Sequence, residues 1–275
     1  MDEAIQPINV QSAKQKIKSY SHNPGSLILA GLVGLAALLT VLTLVFIVGY
    51  ILIKGIPNLT PELFQLEYNS ENVSMFPAII NTICMTVLSL LIAGPLGILA
   101  AVYLVEYAKK GNKLVSLVRV TAETLTGIPS IVYGLFGMLF FVTTLHWGYS
   151  MLAGAFTLAI MVLPVIMRTT EEALLSVPDT FREASFGLGA GRLRTIFVVI
   201  LPSAVPGIFS GVILSIGRIV GETAALMYTA GTVAELPKSV MSSTRTLSVH
   251  MYSLASEGLY VDQAYATAVV LLLIV

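Results

Sequence analysis

The chain has 275 residues, of which 56% are hydrophobic and only 11% charged, where an average soluble domain carries about 25% charged residues. Its formal net charge is zero and its mean hydropathy is +0.88. These values exclude an ordinary soluble domain and leave no electrostatic case for nucleic-acid binding.

The length suits one all-α, polytopic membrane domain of about six spans, since each span needs about 20 apolar residues. Residues 1–26 are polar, carry Lys14, Lys16 and Lys18, and read as a cytosolic tail. The membrane domain then occupies 27–275. Its first span is 27–53, too long for a signal-peptide core and followed by no small-residue cleavage site. Lys54, Pro57 and Pro61 end it. A polar loop over 54–75 leads to the second span, 76–107, where Gly94-Pro95 predicts a bend. The single cysteine, Cys84, rules out a disulfide within the chain and reads as a packed core thiol.

Lys109, Lys110, Lys113 and Arg119 mark the next connection, and 113–124 reads as an amphipathic helix along the membrane surface. Gly127-Ile128-Pro129-Ser130 breaks the chain before a third span at 131–145. His146-Trp147-Gly148 reads as a tight uncharged turn, with Trp147 at an interface and His146 an interfacial residue rather than a ligand or base. The fourth span is 149–167. A polar stretch, 168–202, follows with eight charged residues: Arg168, Glu171, Glu172, Asp179, Arg182, Glu183, Arg192 and Arg194. A fifth apolar run covers 196–227, and residues 228–262 are mixed and polar. A sixth run, 264–275, is 12 residues or about 18 Å of helix. That is short of the ~30 Å hydrocarbon core, so it reads as a span cut short.

Basic residues set the orientation. With the N-terminus inside, eleven of them are cytosolic: Lys14, Lys16, Lys18, Lys109, Lys110, Lys113, Arg119, Arg168, Arg182, Arg192 and Arg194. Only Lys54, Lys238 and Arg245 fall outside. The stretch 168–202 is therefore cytosolic. Pro178-Asp179 suits a helix start, with proline at the first position and an acid at the positive end of the dipole. Gly187, Gly189 and Gly191 stop that helix, and a second begins near Arg192.

Arg218 and Glu222 sit within the fifth run. A charge near the bilayer centre costs roughly 2.5–3.5 kcal/mol on insertion scales, so it needs a partner or a wet cavity. Four residues apart on a helix, the two share a face. They either neutralise each other, although arginine before glutamate is the weaker order, or they handle a substrate. A guanidinium in a wet path grips an oxyanion through paired hydrogen bonds, and Glu222 would hold Arg218 when the path is empty. Gly207-x-x-x-Gly211 and Gly217-x-x-x-Gly221 offer two small-residue faces for helix crossing.

Two patterns carry a resemblance. Glu183-Ala184-Ser185, then Gly189, Val199 and Leu201-Pro202 in fixed register, resembles the EAA loop of binding-protein-dependent ABC importer permeases. Ser185 and Val199 depart from the usual alanine and isoleucine. The resemblance implies a type I importer permease fold and a coupling helix. Its contacts with an ATP-binding subunit would be Glu183, Ala184 and Gly189. The second pattern is Gly217-Arg218-Ile219-Val220-Gly221-Glu222-Thr223-Ala224-Ala225-Leu226 with Tyr228-Thr229-Ala230-Gly231, together with Gly127-Ile128-Pro129-Ser130-Ile131-Val132-Tyr133-Gly134. It resembles the permeases of phosphate-specific importers: the 127–134 segment occurs in both permease types of that family, the PstC type also carries an arginine and a Gly-Glu-Thr in this span, and the Ala224-Ala225-Leu226 continuation points to the PstA type. It implies a bacterial or archaeal cell-membrane subunit whose substrate pathway includes Arg218, Glu222 and Thr223. The implied partners are a PstC-type sister permease, an ATP-binding subunit dimer, an external phosphate-binding protein and phosphate itself.

A permease for sulfate or molybdate, and a PstC-type permease, stay open as alternatives. So, more remotely, does a secondary transporter using Glu222 as a proton site. No Gly-x-x-x-x-Gly-Lys-Ser/Thr loop occurs, so ATP is expected to be used by the partner, with no cofactor or metal on this chain. The absence of Gly-x-Ser-x-Gly and His-Glu-x-x-His argues against an intramembrane hydrolase and leaves no catalytic residue to name.

Overall fold

A computed structural model describes residues 24–109 and 111–275. Most of the expected N-terminal tail, with Lys14, Lys16 and Lys18, lies outside the described residues, as does Lys110. Contact clustering separates two units, 1–53 and 54–275. The described part of the first is essentially one helix, α1 (Pro24–Gly55), apolar along its whole length.

The second unit is helical, with no strand among the described residues. Two short turns, Ile56–Asn58 and Pro61–Phe64, lead to α2 (Phe76–Val102). This helix tolerates Pro95 in its interior and ends in a wider π-turn, Tyr103–Tyr107. The Asn112 side chain accepts from Leu114 N at 3.0 Å and starts α3 (Lys113–Thr126), the expected amphipathic helix. Next come α4 (Ser130–Gly137) with a π-turn at Met138–Thr144, and α5 (Met151–Ser176), capped by Ser150. Between them His146 and Gly148 adopt positive φ, and Trp147 stacks on Phe141, so the expected tight turn forms.

The polar stretch is only partly a loop. Helix α5 continues through Arg168 to Ser176, because 168–176 keeps a helical apolar face with Ala173 and Leu174 buried. Then come α6 (Asp179–Gly187) and α7 (Arg192–Thr195), separated by the glycine turn. A π-turn, Ile196–Ile200, runs into α8 (Leu201–Val220). The fifth apolar run is broken after Val220, and α9 (Ala224–Thr229) is a separate short helix. The chain continues as α10 (Leu247–Glu257) and α11 (Val261–Ile274).

Among the described residues four helical stretches are long and apolar enough to cross a membrane: Gly25–Asn58, Phe76–Tyr107, Met151–Ser176 and Arg192–Val220. Lys113–Thr126 and Ser130–Thr144 make a fifth only if counted together, and they meet at 103°. Six full-length spans are not found among the described residues; the sixth, short run forms the shorter apolar helix Val261–Ile274.

Helix α5 is the centre of the fold. Its Leu158, Met161 and Val162 pack with Met85 of α2, Tyr133 of α4 and Leu226 of α9. A second apolar cluster joins Ala101 and Val102 of α2, Val115 of α3, Leu174 of α5 and Ile196, Ile200 and Ala204 beyond α7. Gly207 and Gly211 of α8 lie against Ala173 and Thr169 of α5, so the first small-residue face is a helix crossing. The second has no neighbour at Gly217. Cys84 is exposed, correcting the expected core thiol, because the adjacent Thr82 and Met85 take the inward face of α2.

Candidate functional site: a broken helix and a coupling hairpin

The coupling elements are built from sequence-local rules. Asp179 lies in the first turn of α6, and Gly189 takes φ +80° where the hairpin reverses. Ser185 Oγ lies 2.8 Å from Thr195 Oγ1 and pins α6 to α7. That hydrogen bond gives the serine at this position a structural task that alanine could not perform. Glu183, Ala184 and Gly189 are all exposed, as are Phe181, Phe186 and Leu188, the last at 91%. The hairpin therefore offers an apolar surface with Glu183 beside it.

What ties the hairpin to the membrane helices was not visible in the sequence. The Arg182 guanidinium donates to Glu106 Oε1 at 2.7 Å, to the Val177 carbonyl at 2.9 Å and to the Leu174 carbonyl at 3.0 Å. Arg182 and Glu106 keep only 16% and 10% of their side-chain exposure. Arg192 lies over the Tyr107 ring, 5.2 Å from its centroid. Both arginines thus grip the end of α2. A pairing across 76 positions carries no local signal; only the charged Glu106 at the end of an apolar run hinted at it.

Further ion pairs join α3 to the end of α5. Arg119 meets Glu171 at 2.5 Å, and Arg168 lies between Glu123 at 3.5 Å and Glu172 at 3.2 Å. The exposed Arg168 pairs contribute little. The Arg119 pair reaches a glutamate of only 12% exposure and is better sheltered.

The pathway residues are arranged differently from expectation. Helix α8 ends at Val220, so Arg218 occupies its last turn and Glu222 lies beyond it. The two share no helix face, because the four-residue spacing aligns side chains only in an unbroken helix. Glu222 is buried at 8% exposure, and its Oε1 accepts from Ala225 N at 3.0 Å, capping α9. The expected Arg218–Glu222 pair is therefore not formed. Among the described residues no carboxylate pairs with half-buried Arg218. Thr223 sits in the break itself, partly exposed. Gly134 lets α4 approach α9 so closely that a Cβ there would sit 2.8 Å from the Ala225 Cα. The two sequence patterns, around 127–134 and 217–231, thus meet backbone to backbone. The result is a helix interruption that carries Arg218, the buried Glu222 and the Thr223 hydroxyl, a combination suited to an anion.

The profile of the family described as the inner membrane component of binding-protein-dependent transport systems matches residues 93–275. A Bacillus subtilis protein named as the probable ABC transporter permease YqgI is 35% identical over 84% of this chain and 84% of its own. The phosphate transport system permease PstA of Pasteurella multocida is 42% identical over 68% of this chain and 67% of its own. The PstA of Haemophilus influenzae is 31% identical, over 88% and 86%. Among solved structures, a bacterial alginate ABC transporter superposes with a TM-score of 0.62 at 20% identity, covering 90% of this chain and 92% of that one. An inward-facing MetNI methionine ABC transporter gives 0.54 at 21%, covering 73% and 87%. These structures support the fold alone. With two thirds of its length matched by the family profile, the chain belongs to the family of inner membrane components of binding-protein-dependent transport systems.

Proposed function

We propose that this chain is the membrane-spanning permease subunit of an ATP-driven phosphate importer. It forms half of the translocation pathway and couples that pathway to a nucleotide-binding subunit. The observation that carries the reading is the helix break at 221–223. It follows Arg218, which pairs with no carboxylate among the described residues, and it contains the capping Glu222, inside the segment that resembles the PstA-type signature. The relatives named as phosphate transport permeases support the choice of cargo.

In this reading the N-terminus and the α6–α7 hairpin are cytosolic. The partners are a PstC-type sister permease, a dimer of ATP-binding subunits and an external phosphate-binding protein. ATP is bound by the partner, and no cofactor or metal sits on this chain. Phosphate enters from the binding protein. The Arg218 fork donates to two of its oxygens, and the Thr223 hydroxyl adds a further donor. The buried Glu222 caps α9 and keeps an anion from settling too firmly. Closure of the ATP-binding subunits moves α6 through Glu183, Ala184 and Gly189, and access at the break switches sides.

The test is phosphate uptake by the assembled complex in proteoliposomes. Arg218→Gln should lower uptake by about tenfold or more, the value of one charged hydrogen bond lost, with assembly intact. Unchanged uptake would remove Arg218 from the pathway. Preferential uptake of sulfate or molybdate by the unmodified complex would reassign the cargo. Uptake that survives nucleotide depletion but collapses with an uncoupler would indicate a secondary transporter.

A further inference from the structure

A polar cluster that the mechanism does not use lies around the other end of α2. Asn81 stands in its second turn, about 38 Å of helix away from the Arg182–Glu106 clamp at 1.5 Å per residue. Arg245 is 6% exposed, and its guanidinium lies over the Tyr68 ring at 5.1 Å. No carboxylate among the described residues pairs with it, and its Nε has no hydrogen-bond partner. His250 is fully buried, edge-on to the same Tyr68 ring at 6.1 Å, with the Val73 backbone as a hydrogen-bond partner of its ring. Thr244 Oγ1 and Asn81 Oδ1, like Arg245 Nε, are buried and unpaired. Native interiors satisfy nearly all such groups, so Asn81, Thr244 and Arg245, each with a buried unpaired atom, mark a place for something absent from the chain itself.

The chemistry of the group is specific. A buried guanidinium is costly unless an anion balances it, and stacking on one ring recovers only part of that cost. Burial, and then the charge of Arg245, hold the His250 imidazole down to about 3. It is therefore neutral near pH 7, with the Val73 backbone hydrogen bond acting weakly in the opposite direction. Asn81 Nδ2 donates to the carbonyls of Glu235 and Arg245 at 3.3 and 3.2 Å, which fixes its Oδ1 as a free acceptor. Donors beside one acceptor suit an oxyanion that still carries a proton. Phosphate does near neutral pH; sulfate and molybdate do not.

The cluster is also joined to the broken helix. Leu247 N donates to Thr82 Oγ1 at 2.8 Å, Thr246 and Ser248 hydroxyls lie 3.2 Å apart, and Ser248 Oγ donates to the Glu222 carbonyl at 2.6 Å. Tyr68 opens on a cleft of about 420 Å³ that Glu67 and Glu235 also line. Two acids at the rim weaken anion binding there, which suits a station that must release its ion.

We propose that Arg245, with Thr244, His250 and Asn81, forms a second, outer phosphate station. It would take the ion from the binding protein and pass it to the break at Arg218. This rests on the reading of the chain as a phosphate permease. The test uses the unmodified assembled importer and an arginine-specific reagent, with modification of Arg245 read by peptide mass. Inorganic phosphate should protect Arg245 without binding protein present, and sulfate should protect it at least about tenfold less well. Lack of protection by phosphate overturns the proposal. Protection by phosphate-free binding protein alone also overturns it, by assigning Arg245 to a carboxylate of that partner. In uptake assays Arg245→Gln should raise the KM for released phosphate with binding-protein docking unchanged, and Arg245→Lys should restore part of it. If the unmodified complex imports no phosphate, the proposed function itself fails. If it imports phosphate and Arg245→Gln does so with the same KM, only the outer station fails.

Discussion

Arg182 uses all three of its guanidinium nitrogens. Nε and Nη2 go to Glu106, Nη1 to the Val177 carbonyl and Asp179, and Nη2 also to the Leu174 carbonyl. One side chain therefore fastens α6, the end of α5 and the end of α2. The Asp179 contact is peripheral, since that carboxylate is 87% exposed. The Glu106 contact is sheltered, and removing one member of such a pair strands the other charge. Arg182→Met should destabilise the chain by about 3 kcal/mol, and adding Glu106→Leu should recover much of that loss. Thermal unfolding in detergent reads both. The double variant should still transport less phosphate per ATP hydrolysed, because the mechanical tie is gone even when the stranded charge is removed. A ratio equal to the unmodified complex would show that the clamp serves stability only.

At the level of elements, the close approach of α4 and α9 positions the broken helix. Gly134 allows it, and Gly137 and Gly154 repeat the device against Thr229 and Ala230. Gly134→Val would drive its side chain into the Ala225 backbone, which cannot yield as a flexible side chain would. Overpacking of this kind costs about 1–3 kcal/mol. The variant should lose thermal stability by that amount and displace Arg218 and Thr223, so uptake should fall even in folded complexes. Gly217→Ala meets nothing within 4 Å in this subunit and serves as the control.

Much at this level could be read from residue order. The hairpin at 179–195 follows from Pro178-Asp179 and the three glycines, and α3 from its apolar spacing. The break after Val220 was hidden, because hydropathy sums over 196–227 do not register a single unwound turn. Its available signal was a glutamate three residues ahead of Ala225, the spacing of a side-chain cap, and that signal was absorbed by pairing Glu222 with Arg218. The three π-turns left no sequence trace at all; each extends the end of a helix or joins two helices in one apolar stretch, where composition does not change.

Across the second unit, α2 is a strut between the α6–α7 hairpin and the segment 245–248. Phe76–Tyr107 spans 32 residues, about 48 Å at 1.5 Å per residue. Its end holds Arg182 and Arg192 through Glu106 and Tyr107. Near its start, Asn81 and Thr82 hold the segment 245–247, whose neighbour Ser248 holds the Glu222 carbonyl. A displacement of α6 can thus reach the break along one continuous helical stretch, with polar contacts at both ends. Residue order could not reveal this path, because its decisive contacts join positions far apart in the chain. The path is testable at its weakest joint. Thr82→Val removes the acceptor of Leu247 N and leaves a buried amide unsatisfied, a loss of about 1–3 kcal/mol. It should lower phosphate transported per ATP hydrolysed while leaving association of the ATP-binding subunit unchanged. Thr86→Val removes only a hydroxyl bonded within its own helix, to the Thr82 carbonyl, and should leave that ratio alone. Combined with Arg182→Met, Thr82→Val should add little, because both cut the same strut. Full additivity in that double-mutant cycle would mean that the hairpin and the segment 245–248 communicate by another route, and that α2 is only a packed wall between them.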